Sequence, residues 1–230
     1  MSASTPALPP SSPIAPLPAT LIAGFGATAK SPVIEALLRH KPRDESWALI
    51  APAGLLGARH AQTAPGLWVQ TVAPGCPCCT GLMPFSTGLT ALLRRLMGSG
   101  VTRLLIEGGA EGHIASVRRL LAQPRFAPHV QLTHAVAVVN PQWLGHGGPA
   151  AREALLELAG AADSLIAHPW EESRGEPGEE DARARDAFAG FAAGFSPARP
   201  WAVLAGGTLD ANFARAALPD LTSPSAASAA

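Results

Sequence analysis

The sequence predicts an α/β fold with a mostly parallel sheet of about six to seven strands and helices on both faces. Segments of strand-like composition alternate along the chain with segments of helical spacing. The strand-like runs are apolar at successive positions, as at residues 135–139, which is typical of strands that are buried on both faces. The helical segments carry apolar residues three and four positions apart, as at Leu89, Leu92, Leu93 and Leu96.

The individual elements follow from this alternation. Ser31 is predicted to cap the first helix, with Pro32 at its first position. Further helices are expected around residues 89–96, 114–121, 154–158 and 184–191. Strands are predicted at residues 19–23, 47–50, 67–72, 104–107, 135–139 and 164–167, with residues 201–204 as a last edge strand.

Length and composition bound the class of protein. We expect a disordered leader at residues 1–18, one domain at 19–218 and a flexible tail at 219–230. The formal net charge is zero and tyrosine is absent, so nothing favours nucleic acid or a membrane surface as a partner. The chain shows no secretory signal or membrane span, and its 3 cysteines do not form a disulfide framework, which predicts a cytoplasmic protein.

The loop after the first strand has the spacing of a phosphate-binding loop. That motif runs Gly, four residues, Gly, Lys, then Ser or Thr, and here Gly24 begins it while Lys30 and Ser31 end it. Such a loop surrounds phosphate oxygens with backbone N–H groups, and its lysine adds a positive charge. We therefore predict nucleotide binding at Gly24, Gly26, Lys30 and Ser31, with the Ser31 hydroxyl reaching Mg²⁺.

Two residues of this loop depart from the motif. Ala29 stands where the glycine before the lysine is expected, and a Cβ at positive φ costs on the order of 1–2 kcal/mol. Pro32 has no N–H, so one donor that could face a phosphate is missing. The alternative is an ordinary turn between a strand and a helix.

All 3 cysteines of the chain, Cys76, Cys78 and Cys79, lie within one tetrapeptide after the third strand. Clustered thiolates are ligands for Zn²⁺, which takes four donors, and three protein ligands leave a fourth position for water or a receiving protein. Cu(I) is the other candidate ion. A redox pair and inert side chains in a turn remain alternatives. His113 is a possible further ligand or a surface histidine.

Glu107 ends the fourth predicted strand and is followed by Gly108 and Gly109. A carboxylate at the end of a buried strand can hold Mg²⁺ or its water beside a bound phosphate. The alternative interpretation is an acid that caps the next helix or faces solvent.

Three segments, in this order and spacing, resemble the CobW-type GTPases, a phosphate-loop family tied to metal insertion and zinc homeostasis. They are Gly24-Phe-Gly-Ala-Thr-Ala-Lys30-Ser31, Gly75-Cys-Pro-Cys-Cys-Thr80 and Ile106-Glu107-Gly108-Gly109-Ala110. The first is similar to the family's Gly-Phe-Leu-Gly-Ala-Gly-Lys-Thr, and the second to its Gly-Cys-x-Cys-Cys. The resemblance covers residues 19–215 and implies a P-loop NTPase-like GTPase domain without the family's smaller C-terminal domain.

Two further segments depart from the family pattern. The family's Asn-Glu-x-Gly is replaced by Ala51-Pro52-Ala53-Gly54, so the acidic group is absent. The Asn-Lys-x-Asp that reads guanine is replaced by His168-Pro169-Trp170-Glu171, where only Glu171 could imitate the aspartate.

The resulting hypothesis is a CobW-like metal-binding protein. It binds zinc or another thiophilic ion through the cysteines, acts in metal homeostasis or delivery to a receiving protein, and has weakened or lost binding of Mg²⁺ and GTP. One alternative is a working GTP or ATP hydrolase that serves as a metallochaperone. The other is a pseudo-GTPase that only docks onto a partner protein.

Overall fold

The computed structural model describes residues 15–25, 30–53, 65–75, 81–109, 113–141, 143–144, 148–168 and 179–218. Gly26, Ala29, Glu171 and the three cysteines lie outside these residues, as do the predicted tail and most of the predicted leader.

Seven parallel strands form one sheet, which confirms the predicted fold class. Their order across the sheet is β3-β2-β4-β1-β5-β6-β7. The predicted strands are all present, although β1, β4 and β5 start two, three and five residues earlier than the apolar runs indicate. The strands are β1 Leu17–Gly24, β2 Ser46–Pro52, β3 Leu67–Val72, β4 Val101–Glu107, β5 Val130–Val139, β6 Ser164–Ala167 and β7 Trp201–Val203.

Helices cover both faces of the sheet and bury a separate apolar core on each. The described helices are α1 Ser31–Leu38, α2 Leu82–Leu96, α3 Ile114–Leu121, α4 Pro149–Ala161, α5 Glu179–Ala193 and α6 Ala211–Ala217. Helices α1 and α6 pack on one face, and α2, α3, α4 and α5 on the other. None of the helices in the described ranges is both long enough and apolar enough to cross a membrane.

The start of α1 differs from the prediction. Lys30, and not Ser31, is the N-cap, and no side chain caps the helix. A capping serine needs an extended backbone, whereas Lys30 already has helical angles, with φ −89° and ψ −34°. Ser31 therefore occupies the first helical position, and its hydroxyl is not used as a cap.

The connections after β1 and after its neighbours run to opposite faces of the sheet. Strand β1 leads into α1 on one face, whereas β4 and β5 lead into α3 and α4 on the other. In an open parallel sheet, ligands bind in the crevice that such divergent connections leave outside the carboxyl ends of the strands. The crevice of this protein therefore lies at the end of β1, where the phosphate-loop motif begins.

A cluster of polar side chains joins β5, the start of β6 and α3. His134 Nε2 lies 2.9 Å from Oγ of Ser164, which is fully buried. Asp163 Oδ2 accepts hydrogen bonds from the Ala135 N–H at 2.8 Å and from Arg118 Nη2 at 2.7 Å. Burial lowers the pKa of His134, although the Asp163 carboxylate acts in the opposite direction.

Because His134 is partly buried, we expect the folded protein to lose stability in mild acid. Folded His134 binds a proton less readily than the unfolded chain, whose histidine pKa is 6.5. The free energy of unfolding should therefore decrease as the pH falls below about 6.5. The His134→Gln variant should show a weaker decrease between pH 7.5 and 5.5 in denaturant unfolding. His129→Gln, at an exposed position just before β5, is the control and should keep the wild-type slope. Equal slopes for all three proteins would contradict the assignment.

Candidate functional site

Lys30 lies against the end of β1 and is almost completely buried, with 1% of its surface exposed. Its Nζ donates a hydrogen bond to the Gly24 carbonyl oxygen at 3.1 Å. Gly24 lies close to β5: a Cβ at this position would be only 3.0 Å from the Val138 carbonyl oxygen. The residues that begin and end the phosphate-loop motif are therefore in direct contact.

Ser31 follows Lys30 and is also buried, with 3% of its surface exposed. Its Oγ has no hydrogen-bond partner in the part of the chain that the structure describes. Buried hydroxyl groups are nearly always hydrogen-bonded in folded proteins, so this hydroxyl group is available to a water molecule or a bound ion.

Glu107 ends β4 directly beside β1, where it pairs in register with Ile22. It is 1% exposed, and neither carboxyl oxygen has a hydrogen-bond partner among the described residues. The next residue, Gly108, donates its N–H to the Ile22 carbonyl oxygen at 2.8 Å. A Cβ on Gly108 would lie 3.1 Å from that oxygen, so the close approach of the two strands requires glycine.

The electrostatic state of Glu107 reflects this burial. Desolvation raises the pKa of its carboxyl group from 4.5 to about 7, and the nearby Lys30 cation partly opposes the rise. A carboxylate with two unsatisfied buried oxygens is stabilised by any cation that enters its site. Mg²⁺ prefers oxygen ligands, so the Ser31 hydroxyl and the Glu107 carboxylate fit this ion. Bound there, Mg²⁺ would neutralise phosphate charge.

The cysteine motif begins at the same edge of the sheet but farther along it. Strand β3 ends at Val72, and the order of strands places β2 and β4 between β3 and β1. The base of the motif is therefore about 14 Å from the end of β1, and not directly beside it. Gly75, just before Cys76, has φ 145°, which favours glycine.

Helix α2, which follows the motif, packs tightly on β3. A Cβ on Gly88 would lie 2.3 Å from Val72 Cγ1, so glycine is needed for this contact. The structure thus describes both sides of the cysteine segment, up to Gly75 and from Gly81 onward. Among the described residues, no group of three or more His, Cys, Asp or Glu side chains is arranged to hold a metal ion. His113 is the N-cap of α3, and its role as a ligand stays a prediction.

Two structural features of this edge of the sheet could not be predicted from a sequence motif. Phe25, just after β1, contacts Trp143, with ring centroids 5.8 Å apart. His168, just after β6, has a buried Nδ1 without a hydrogen-bond partner in the described ranges. The sequence marks His168 only as a departure from the guanine-reading motif, because an unpaired buried atom can be recognised only in three dimensions.

Comparisons with known proteins agree with this architecture. The sequence-family model of the CobW/HypB/UreG nucleotide-binding domain matches residues 18–168 of this chain. The zinc chaperone YeiR of Escherichia coli (strain K12) is 32% identical over 152 residues, which are 64% of this chain but only 45% of YeiR. The match thus spans less than half the length of that relative.

Solved structures of low identity share the fold. Zn(II)-bound YjiA GTPase from E. coli aligns with a TM-score of 0.56 and 14% identity, covering 86% of this chain and 61% of YjiA. HypB from Helicobacter pylori, solved in complex with nickel, gives a TM-score of 0.51 and 10% identity, covering 81% and 78% of the two chains. With the match to the family model over residues 18–168, these findings show that the chain belongs to the CobW/HypB/UreG family of P-loop proteins.

Proposed function

We propose that this chain is a metal-handling protein that binds a zinc ion through Cys76, Cys78 and Cys79 and carries a weakened site for Mg²⁺ and nucleotide. The main support is that all 3 cysteines follow closely on Gly75 in the sequence, and that Gly75 lies at the sheet edge that also holds Lys30. The similarity to a zinc chaperone favours zinc as the ion that is carried.

The cysteine motif suits an ion that is passed on. Three thiolates leave one of the four positions around Zn²⁺ for an exchangeable ligand, such as a side chain of a receiving protein. The thiolate form binds the metal, so zinc affinity should decrease in acid. Zinc is thus the cargo of the protein rather than part of its folded core.

The nucleotide site retains a lysine, a hydroxyl group and a carboxylate. Lys30, Ser31 and Glu107 are buried together at the ends of β1 and β4, which supports binding of a magnesium-bound phosphate chain. Pro32 has no N–H to donate to a phosphate, and Ala29 stands where the motif has glycine, so we propose that this binding is weak. The same three buried groups favour a second candidate function, a GTP or ATP hydrolase that couples turnover to metal delivery.

Zinc content under reducing conditions tests the main proposal. The wild-type protein should retain about one zinc ion per chain against a weak chelator, and the Cys76→Ser/Cys79→Ser double variant should retain almost none. Cys78→Ser should lower the affinity without abolishing binding, because the other two thiolates remain. Metal analysis by mass spectrometry gives the stoichiometry.

The alternatives give different results in the same preparations. Wild-type protein that holds neither zinc nor copper when reduced would contradict the proposal. Loss of free thiols on mild oxidation in such a protein would favour a redox pair. Phosphate release from GTP or ATP that stops in the Lys30→Ala variant would establish the hydrolase.

A further inference from the structure

Strand β7 is an edge of the sheet, and β6 is its only neighbouring strand in the described part of the chain. The Pro200 carbonyl oxygen and the Leu204 N–H both bond to β6, at 2.9 Å and 3.2 Å. In a strand, the N–H and C=O groups of successive residues point to opposite sides. Those of Trp201 and Val203 therefore point away from β6, where a further strand could pair with them.

A groove with a volume of about 510 Å³ lies along this open edge. Trp201 and Val203 line it from β7, and Arg185 lines it from α5. Leu209 and Phe213 line it from the side of α6, which packs on the opposite face of the sheet from α5. The groove thus contains the outward main-chain groups of β7, with a helix on each side, and its size suits a short extended segment.

The end of the groove is held in place by hydrogen bonds. Ala205 and Thr208, which both line it, exchange two backbone hydrogen bonds at 2.8 Å and 3.3 Å. Arg39, just after α1, donates to the Gly207 carbonyl oxygen within the same turn. Asp210 Oδ1 caps α6 by accepting two backbone N–H groups, each at 2.9 Å. A groove that is already formed spends little of its binding energy on ordering.

The two sides of the groove differ in charge. Arg185 is exposed on the α5 side, so this side favours a carboxylate. On the other side, the carboxylate of Asp210 is already engaged at the positive end of α6, and Leu209 and Phe213 are apolar. Side chains of a strand point alternately to the two faces of a sheet. The strand that fits therefore alternates acidic residues, toward α5, with apolar residues, toward α6.

We propose that the open edge of β7 binds an extended segment of a partner protein, in which acidic and apolar residues alternate, as a further strand of the sheet. In such complexes the main chain supplies affinity and the side chains supply specificity. Strand β7 is six places from β3, about 29 Å at the usual strand spacing. Docking at this edge is thus separate from the proposed zinc and nucleotide sites and does not depend on them.

Fluorescence anisotropy with a labelled peptide, acetyl-Val-Glu-Val-Glu-Val-amide, tests the proposal. The peptide should bind about three- to tenfold more tightly than the same peptide with lysine in place of glutamate. Only alternate N–H groups of the peptide face β7, so N-methylation at either the two glutamates or the valines should abolish binding, and N-methylation at the other set should not. No binding at about 1 mM, equal affinity for the glutamate and lysine peptides, or equal effects of both N-methylations would overturn the proposal.

Substitutions in the groove assign the site. Arg185→Glu should reverse the preference between the glutamate and lysine peptides, whereas Arg183→Glu, at an exposed position of the same helix that does not line the groove, should keep it.

Val203→Pro removes an N–H that points away from β6, so the sheet can retain its pairing while the peptide loses a donor. Binding should weaken about threefold or more, in a protein whose circular dichroism matches the wild type. A preference that is unchanged in Arg185→Glu, or full affinity in a folded Val203→Pro protein, would show that the peptide does not bind at β7.

Discussion

The Glu107→Gln variant is expected to gain stability relative to the wild-type protein as the pH rises from 5 to 8.5. In the folded protein the pKa of Glu107 is about 7, against 4.5 as the ordinary value. Between these two values the folded state binds the proton and the unfolded state does not, so wild-type stability decreases as the pH rises. Glutamine does not titrate. The difference in unfolding free energy should therefore shift by about 2–3 kcal/mol toward the variant over this range.

Denaturant unfolding at pH 5 and pH 8.5, in the presence of EDTA, measures this shift. Glu153→Gln is the matched control, because it makes the same chemical change at an exposed position of α4. The control should show the wild-type dependence on pH. A Glu107→Gln protein whose stability follows that of the wild type at both pH values would mean that the carboxyl group is hydrated and not buried.

The same substitution links stability to ligand binding. Mg²⁺ with a nucleotide should stabilise the wild-type protein more at pH 8.5 than at pH 5, because the ionised carboxylate is then available. Glu107→Gln should lose most of that stabilisation while keeping its zinc content. A buried acid that reduces stability when empty and binds a cation when ionised is the pattern expected of a functional residue.

The sequence predicts the sheet well because its central strands are buried on both faces. Continuous apolar runs such as residues 135–139 have few other structures available, and the sheet contains each of them. Boundaries were less accurate, since β5 extends back to Val130 through polar positions such as Gln131 and His134, which pairing with β1 holds in place.

The candidate site was predictable where a motif specifies it. Lys30 and Ser31 follow β1 and Glu107 ends the adjacent strand β4, while their roles in nucleotide and magnesium binding stay predictions. The order of the strands was not predictable, so the distance between the cysteine motif and the phosphate loop became clear only from the sheet. The unpaired Nδ1 of His168 likewise depends on three-dimensional burial, for which the sequence has no marker.

The Lys30→Met variant should lose most of its affinity for nucleoside triphosphates without losing its fold. Methionine has a similar length and no charge, so it removes the cation that a phosphate would meet at the end of β1. Hydrogen bonds to charged groups contribute about 1.5–3 kcal/mol, which corresponds to a decrease in affinity of roughly ten- to a hundredfold. The stability of the empty protein should change little, because replacing a buried ammonium group by an apolar one removes a desolvation cost.

Calorimetry with Mg-GTP, Mg-ATP and Mg-tripolyphosphate measures the loss, which should be similar for all three because the lysine contacts no base. Lys41→Met is the control. Lys41 also donates to a backbone carbonyl, that of Pro42 at 3.1 Å, but it lies after α1 and away from the phosphate loop. Unchanged affinity in Lys30→Met would mean that nucleotides bind elsewhere or that Lys30 only supports the Gly24 turn.

The zinc affinity of Lys30→Met then tests whether the cysteine motif and the phosphate loop influence each other. The cysteine motif starts about three strand spacings from β1, with β2 and β4 between them. Without a mobile element that both sites contact, a lost phosphate ligand should leave zinc binding unchanged. We therefore expect equal zinc affinity in Lys30→Met and wild type when no nucleotide is present. If Mg-GTP alters the zinc affinity of the wild type and not of Lys30→Met, the segment that carries the cysteines responds to the nucleotide, and the phosphate site regulates metal release.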